Sequence, residues 1–423
     1  MHLVKKQKIC IVGSGLVGLF TAWQLQAEGH EVTVVERRHG PSLGTSYANG
    51  AQLSYSYVAP LAGPSALLKL PGWLLKRDGP LRFRPHMSID LWRWCFAFAS
   101  RCTSGHARQT TMDLLTLGFL SRHLLHAMMA DGAPVQQLAY RQNGKLVVFR
   151  DAAALAGAEA EMQFQSTLGC KQRRVSPTQC AEIDPALADL APRLVGGIYT
   201  PSEDVIDNYA LALHLAKEIT GRGGCVRYGE TVQGFDISGD RLQSARTDHG
   251  EITADQFVVA GGLESREIFS KLGVRVPILG LRGYSITLDC SGGLAPDVSV
   301  TDSHHKIVFA RIGERLRVAG MVDVGSEAAD LPADRLKTLI SQAMDTFPRA
   351  GNYDQASAWA GVRPATPSGR PIIDQICYRN LYANMGHGAL GLTLAAGSAA
   401  LLADRIAGRQ SAIDPSPFTL AKA

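Results

Sequence analysis

No two of the eight cysteines stand in C-x-x-C spacing, and none lies against a nearby pair of histidines. That argues against a zinc or iron–sulfur ligand set. The scatter of Cys10, Cys95, Cys102, Cys170, Cys180, Cys225, Cys290 and Cys377 reads as reduced thiols of a cytoplasmic protein. A membrane-crossing segment is also missing. The longest apolar stretch worth testing, residues 89–100, contains Arg93 and is too short for a bilayer. It reads as an amphipathic helix packed in a domain interface, with contact to a membrane surface as the other reading. Charge of one sign is scarce: 43 Lys and Arg against 38 Asp and Glu leave +5, too mild to argue for nucleic acid. Internal repeats and low-complexity segments are absent. What remains is an ordinary globular composition, 46% apolar over 423 residues, enough for two domains or one elaborated fold.

One stretch stands out against this background. Residues 9–12 are an apolar run that suits a buried strand, and it passes through Ile11 and Val12 into Gly13-Ser14-Gly15-Leu16-Val17-Gly18. In this G-x-G-x-x-G pattern Gly13 allows a tight turn, Gly15 lets the backbone approach a pyrophosphate, and Gly18 lets the next helix sit close to the strand. A helix over residues 16–28 points its amide-rich end at the phosphates and stops at Gly29. A second strand then finishes on Glu36, a carboxylate placed to accept both hydroxyls of an adenosine ribose. Such an acid disfavours a 2′-phosphate, so NAD or FAD is expected over NADP. Lys5, Lys6 and Lys8 ahead of an apolar run imitate a signal peptide, but the glycines and Ser14 interrupt it.

Further along, residues 44–55 are rich in small and hydroxyl side chains. Composition alone favours a surface loop there, although such a segment can also run under a flat ligand. Residues 59–81 are broken by Pro60, Pro64, Pro71 and Pro80 and read as a turning connection with short helical pieces. Helices are expected over 89–100, 109–131, 151–163, 209–220 (capped by Asn208) and 331–347. His123 and His126 lie on the second of these, with no third ligand to make a metal site. Strands are expected over 145–149, 196–200, 225–228, 231–237, 242–247 and 251–259, the last running into Ala260-Gly261-Gly262. A meander follows over 284–289, 307–311 and 316–321. Arg363 then sits between Val362 and Pro364, where a charge needs a partner. That partner is a structural carboxylate or a substrate carboxylate, and local sequence leaves both open. Near the end, residues 381–385 lead through glycines into a helix, a second backbone-amide site, where His387 marks a tight turn at a ligand. The tail after Gly408 reads as loosely held.

Taken in order, four further runs join the N-terminal fingerprint. They are residues 44–54, Arg282-Gly283-Tyr284-Ser285-Ile286-Thr287, Gly361-Val362-Arg363-Pro364-Ala365-Thr366-Pro367 and Gly386-His387-Gly388-Ala389-Leu390-Gly391. Together they span nearly the whole chain. They resemble the FAD-dependent D-amino acid oxidase superfamily, and within it the bacterial D-amino acid dehydrogenases of the small, flavin-bearing subunit type. The resemblance implies an α/β fold. A Rossmann-like FAD-binding domain of the glutathione-reductase type (residues 1–56, 202–273 and 372–423) would interleave with an α+β substrate domain (57–201 and 274–371) carrying a mainly antiparallel sheet.

It also implies roles. The residues from Ile11 to Gly18 would hold the FAD pyrophosphate and Glu36 the ribose, with Arg37 and Arg38 near the adenosine. Thr45, Ser46, Asn49, Gly50, Ala51, Gln52 and Leu53 would pass the pyrophosphate and flavin. Val232 would meet adenine through its backbone, and Ala260, Gly261, Gly262 and Gly361 would line the cofactor. Gly388, Ala389, Leu390, Gly391, Leu392 and Thr393 would bring amides and a helix dipole to the flavin's N1–C2=O side. Arg363 would clamp the substrate carboxylate, with Tyr284 and His305 as further pocket residues. Relatives usually carry Trp where this chain has Leu392, and often Tyr near His305, which leaves side-chain preference open. No cysteine near Arg363 suits covalent flavin attachment, so non-covalent FAD is expected.

The implied reaction is oxidative deamination of a D-amino acid to a 2-oxo acid and ammonium by hydride transfer from Cα to flavin N5. Electrons would pass to a quinone or another respiratory-chain carrier. The protein would be cytoplasmic, attached peripherally to the inner face of the membrane. Rival readings are a dehydrogenase of a cyclic or N-substituted amino acid such as D-hydroxyproline or D-proline, an oxygen-using oxidase, a non-catalytic flavin-binding assembly protein, and, more remotely, an NAD-dependent enzyme.

Overall fold

The structure, a computed structural model, describes residues 6–64, 79–85, 87–327 and 330–423. The fingerprint strand Lys8–Val12 has four buried residues after one exposed lysine. Such a run is apolar throughout because both of its faces are covered. It pairs in parallel with Glu31–Glu36 on one side and Gln256–Val259 on the other. Cys225–Tyr228 extends the sheet beyond Glu31–Glu36. Leu381–Met385 extends it the other way, and antiparallel Ile372–Gln375 closes that edge. The six strands thus come from the start, middle and end of the chain.

One face of this sheet is covered by helices Leu16–Ala27, Asn208–Gly221 and Gly391–Ala407, whose leucines and alanines pack with Val32, Val34 and Val258. Helix Ser104–Ala130 joins the same layer through Leu114, Leu117 and Leu125. Its sequence neighbours belong elsewhere, so sequence segments and packing layers do not coincide there. Gly391–Ala407 belongs to the stretch Gly388–Ala407, which by length and composition could cross a membrane, but most of it is buried within this layer. The other face is covered by a three-stranded meander (Val232–Ser238, Arg241–Thr247, Gly250–Thr253) and helix Ser265–Lys271.

The second sheet has nine strands. Its path runs Ser357–Ala365, Leu279–Asp289, Arg315–Val324, Ile307–Ile312, Ser299–Asp302, Lys145–Phe149, Gly196–Thr200 and Arg173–Val175, with Leu81–Phe83 paired beside Arg315–Val324. Two pairings are parallel and the rest antiparallel, so the expected mainly antiparallel sheet is present. Helix Ala333–Thr346 packs behind it through Leu339 and Ala343.

Several local expectations are corrected. The strand expected over 251–259 is two strands in different sheets. Asp255 lies at the break, where its carboxylate accepts the Lys8 amide at 2.7 Å. The cap of Asn208–Gly221 is Asp207, which accepts the amides of Tyr209 and Ala210. Asn208 instead donates its side-chain amide to the carbonyls of Ser46 and Tyr47. Most of the connection expected over 59–81 lies outside the described residues. The C-terminal tail is held, not loose: Phe418 is 1% exposed, and the Leu420 amide donates to Asp374 at 3.0 Å. The Phe418→Ala variant should therefore lose roughly 3–5 kcal/mol of stability, read as a fall in the thermal unfolding midpoint. A loose tail would leave the midpoint unmoved.

Candidate functional site

Between the two sheets lies a cavity of about 640 Å³, within the range of small-molecule and cofactor sites, roughly 300–1,000 Å³. Its dinucleotide end is built by the fingerprint. Gly13 has φ +106°, and a Cβ there would stand 2.8 Å from the Ala260 carbonyl oxygen. Only glycine lets these two strand ends meet. Helix Leu16–Ala27 starts at Gly15 with no side-chain cap, and helix Gly391–Ala407 also starts uncapped. Residues at both helix starts border the cavity. Two helix N-termini therefore face one space, with the Leu16 amide reaching Ser46 Oγ at 3.4 Å, a favourable place for anionic groups. Glu36 is 7% exposed. Its Oε2 accepts from the Ser14 amide and hydroxyl, both at 2.9 Å, and its Oε1 accepts from the Arg38 amide at 2.9 Å. The carboxylate is thus fixed at the cavity margin. Arg37 pairs with Glu264 at the rim.

The segment over residues 44–54 is the floor, and its expected surface position is wrong. Ala48, Ala51, Leu53 and Ser54 are buried. Thr45 donates to the Val362 carbonyl at 2.5 Å, and Ser285 donates to the Ala48 carbonyl at 2.7 Å. Arg317 Nη1 donates to the Asn49 carbonyl at 2.8 Å. The Asn49 side chain accepts the Ala51 amide, which supports Ala51 at φ +56°. Gln52 reaches the Phe309 carbonyl at 3.2 Å, and the Ser54 amide donates to Thr393 at 3.1 Å.

Arg363 is the singular charge of the site. Gly283, on the neighbouring strand, makes room for it: a Cβ there would lie 2.6 Å from an Arg363 terminal nitrogen. Burial lowers the arginine's proton affinity, yet a guanidinium stays charged. Among the described residues no carboxylate stands within ion-pair distance of it. Arg282, next to Arg363's register partner Leu281 on the neighbouring strand, is by contrast tied to Ser326 and to the Asp323 cluster. A half-buried cation with no carboxylate in ion-pair distance among the described residues, bordering a cavity, has donors free for an anionic group.

Most of the expected cofactor residues border this one cavity. Ile11, Ser14, Gly18 and Leu53 do not: they support it from behind. Tyr284 reaches the cavity margin, but its hydroxyl turns away and donates to Asp323 at 2.9 Å. Arg282 and Arg335 lie over its ring, and burial pushes the phenol up to about 12. It braces the strand; its hydroxyl is not offered to a substrate. His305 is not at the cavity. Its Nε2 stands 2.9 Å from Asp345, in a cluster with Arg150 and Arg193. His387 is buried against Ser398 at 2.9 Å, and burial pulls it down to about 3, so it is a neutral structural group. His126 binds Asp204 at 2.8 Å, and no metal-ligand cluster occurs among the described residues. Sequence reasoning missed Lys145 and Tyr57, both on the cavity wall. A lysine opening the apolar strand Lys145–Phe149 was the available signal.

The uncapped helix starts, the fixed Glu36 and the cavity's size fit FAD, and no cysteine among the described residues borders the cavity. A Gly15→Val variant should fold, because a Cβ there meets nothing closer than Ser46 Oγ at 3.7 Å, but its methyl groups would crowd the cavity at the helix start and should lower FAD affinity by about 10- to 100-fold, on the scale of the roughly 1–3 kcal/mol that overpacking costs. The check is the ratio of flavin to protein absorbance after purification; an unchanged ratio would contradict this placement.

Comparison with known proteins agrees with the geometry. The family of FAD dependent oxidoreductases designated DAO matches residues 8–405. The chain is 45% identical to D-amino acid dehydrogenase 2 of Ralstonia nicotianae, covering 98% of this chain and 100% of that protein. It is 42% identical to D-amino acid dehydrogenase 2 of Pseudomonas aeruginosa, over 96% of this chain and 97% of that one. Among solved structures, glycine oxidase from Geobacillus kaustophilus superposes with a TM-score of 0.77 at 18% identity, covering 99% of each chain. The chain therefore belongs to the DAO family of FAD-dependent oxidoreductases.

Proposed function

We propose that this protein oxidises D-amino acids to 2-imino acids, which water converts to 2-oxo acids and ammonium. The observation that carries the reading is Arg363, a cation at the cavity with no carboxylate partner among the described residues, supported by the names of the relatives. FAD, when bound, supplies the two-electron acceptor. The protein's part is orientation. Arg363 fixes the substrate carboxylate through paired N–H donors, and Gly283 lets it lie flat across the sheet. The sheet and the 44–54 segment wall the site. Among the described residues no histidine borders the cavity as a free base, since His387 is held by Ser398. The amine then enters neutral, and positioning is the main contribution.

The test is anaerobic. Purified yellow protein is mixed with D- and L-forms of alanine, proline, hydroxyproline and aromatic amino acids, and flavin absorbance is followed. Bleaching by D-forms alone is expected. Bleaching by L-forms, or by none, would overturn the reading. The same panel separates a cyclic or N-substituted substrate from a primary amine, and an oxygen electrode separates oxidase from dehydrogenase.

We also propose a bilayer surface as the place where electrons leave to a quinone. Helix Ile89–Ser100 buries Leu91 and Trp94 but exposes Ile89 (70%), Trp92 (43%) and Phe96 (74%). Spacings of three and four put these on one helix face, with Arg93 exposed beside them. Trp94 and Phe98 of the same helix border the cavity, so a lipid-soluble acceptor would approach close to the flavin site. Replacing Trp92 and Phe96 by serine should abolish co-sedimentation with anionic phosphatidylglycerol vesicles and leave D-amino acid bleaching intact. Equal sedimentation of variant and wild type would count against the surface.

A further inference from the structure

Two ionisable side chains meet beside the cavity, and orienting a substrate uses neither. Lys145 opens strand Lys145–Phe149, is 3% exposed and borders the cavity. Glu203 is 1% exposed, and its carbonyl accepts the Gly144 amide at 3.0 Å, which sets the two residues side by side. Glu203 is the counter-charge of Lys145, acting through space. The ammonium donates to Ser54 Oγ at 2.9 Å, and the Ser54 amide donates to Thr393 Oγ1 at 3.1 Å. Thr393 stands in the first turn of helix Gly391–Ala407, whose start borders the cavity. One serine therefore separates the pair from a helix end that favours negative charge.

The surroundings leave the Glu203 charge easy to change. Oε1 accepts the Ser56 amide at 2.8 Å, and Oε2 has no hydrogen-bond partner among the described residues. Burial raises the carboxyl's proton affinity more than Lys145 lowers it, and burial lowers that of Lys145. Its chain neighbour Asp204 is held differently. Asp204 Oδ2 accepts from Tyr55, Tyr140 and His126 at 3.0, 3.1 and 2.8 Å, donors that favour its ionised form. The Tyr55 phenol and the Cys170 thiol also face Glu203, and burial keeps both protonated. Tyr57 lays its ring 4.3 Å from the ammonium, and burial keeps its hydroxyl protonated as well. Glu203 is thus the acid of this cluster that a new charge in the cavity would titrate first.

We propose that Glu203 is a redox-linked proton site: when negative charge appears on the bound flavin, Lys145 stays an ammonium and the Glu203 carboxylate takes a proton from water at Oε2. A flavin reduced by hydride holds two electrons, one proton and one negative charge. Protonation of Glu203 turns the pair from neutral to singly positive and offsets that charge. A quinone that leaves as its hydroquinone takes two protons with its two electrons. The reduced flavin returns one, and Glu203 supplies the other.

The site rests on FAD in the cavity and not on which amino acid reduces it, so the test omits substrate. Wild-type holoenzyme and the Glu203→Gln and Lys145→Met variants are photoreduced against a reference dye across the neutral pH range. In wild type the midpoint potential should steepen with pH toward the slope for two protons per two electrons. Lys145→Met leaves Glu203 a neutral acid in both states, because burial without the ammonium favours the protonated form. Its slope should fall to one proton per two electrons, and its potential should lie below wild type at the acid end. Infrared difference spectra of the same reduction should show a carboxylic acid carbonyl band appearing in wild type. That band should be missing in both Glu203→Gln and Lys145→Met. A one-proton slope in wild type, a two-proton slope that survives Lys145→Met, or a band that fails to appear or persists in Glu203→Gln overturns the proposal. Failure of every D-amino acid to bleach the flavin would instead sink the reaction class and leave the slope and the band standing.

Discussion

Backbone groups buried away from water need partners, and one buried segment of this protein has no regular ladder to supply them. Residues 44–54 run between the two sheets and pair as strand only at Gln52–Leu53. Their polar groups are met by side chains from many elements: Asn208 on Ser46 and Tyr47, Ser285 on Ala48, Arg317 on Asn49, Thr393 on Ser54. Each bond is modest, about 1 kcal/mol net, but leaving such a group unmade costs more. The segment thus registers the nine-stranded sheet against the six-stranded one, and the cavity is the space that registration leaves.

The site's electrostatics follow from the same arrangement. The helix starts at Leu16 and Gly391 enter the cavity without side-chain caps. Glu36 spends its carboxylate on local amides and its exposed edge on the rim. Buried arginines elsewhere have partners: Arg335 pairs with Asp323 at 2.7 Å and Arg370 with Asp113 at 2.6 Å, while Arg317, with no carboxylate in ion-pair distance among the described residues, donates to the Thr287 hydroxyl and the Asn49 carbonyl. Half-buried Arg363 has no such partner among the described residues, and a charge left unpaired in that setting is expensive unless a ligand completes it.

Legibility in the sequence followed the range of the interactions. The fingerprint was readable because strand, turn, helix and Glu36 are neighbours in the chain, and their geometry is local. The antiparallel sheet showed through its period of two. Residues 44–54 looked like surface because composition reports polarity, and nothing local announces that Ser285 or Arg317 waits hundreds of residues away. Asn208 was misread for the same reason: its partners are Ser46 and Tyr47, while its neighbour Asp207 does the capping. His305 was drawn to the site by resemblance, but its place in the turn between strands Ser299–Asp302 and Ile307–Ile312 sends it to Asp345. Lys145 and Phe418 needed tertiary packing to reveal one as a cavity wall and the other as a core residue.

The central claim is that Arg363 awaits a substrate carboxylate. Its most direct test is the anaerobic reduction of bound flavin by D-alanine in wild type and Arg363→Met, followed by stopped flow. The account predicts at least about a thirtyfold rise in the dissociation constant for D-alanine, the lower end for truncating a buried charged hydrogen-bonding partner, together with a slower reduction step from lost orientation. A variant that binds FAD normally and reduces with both constants within about twofold of wild type would contradict it.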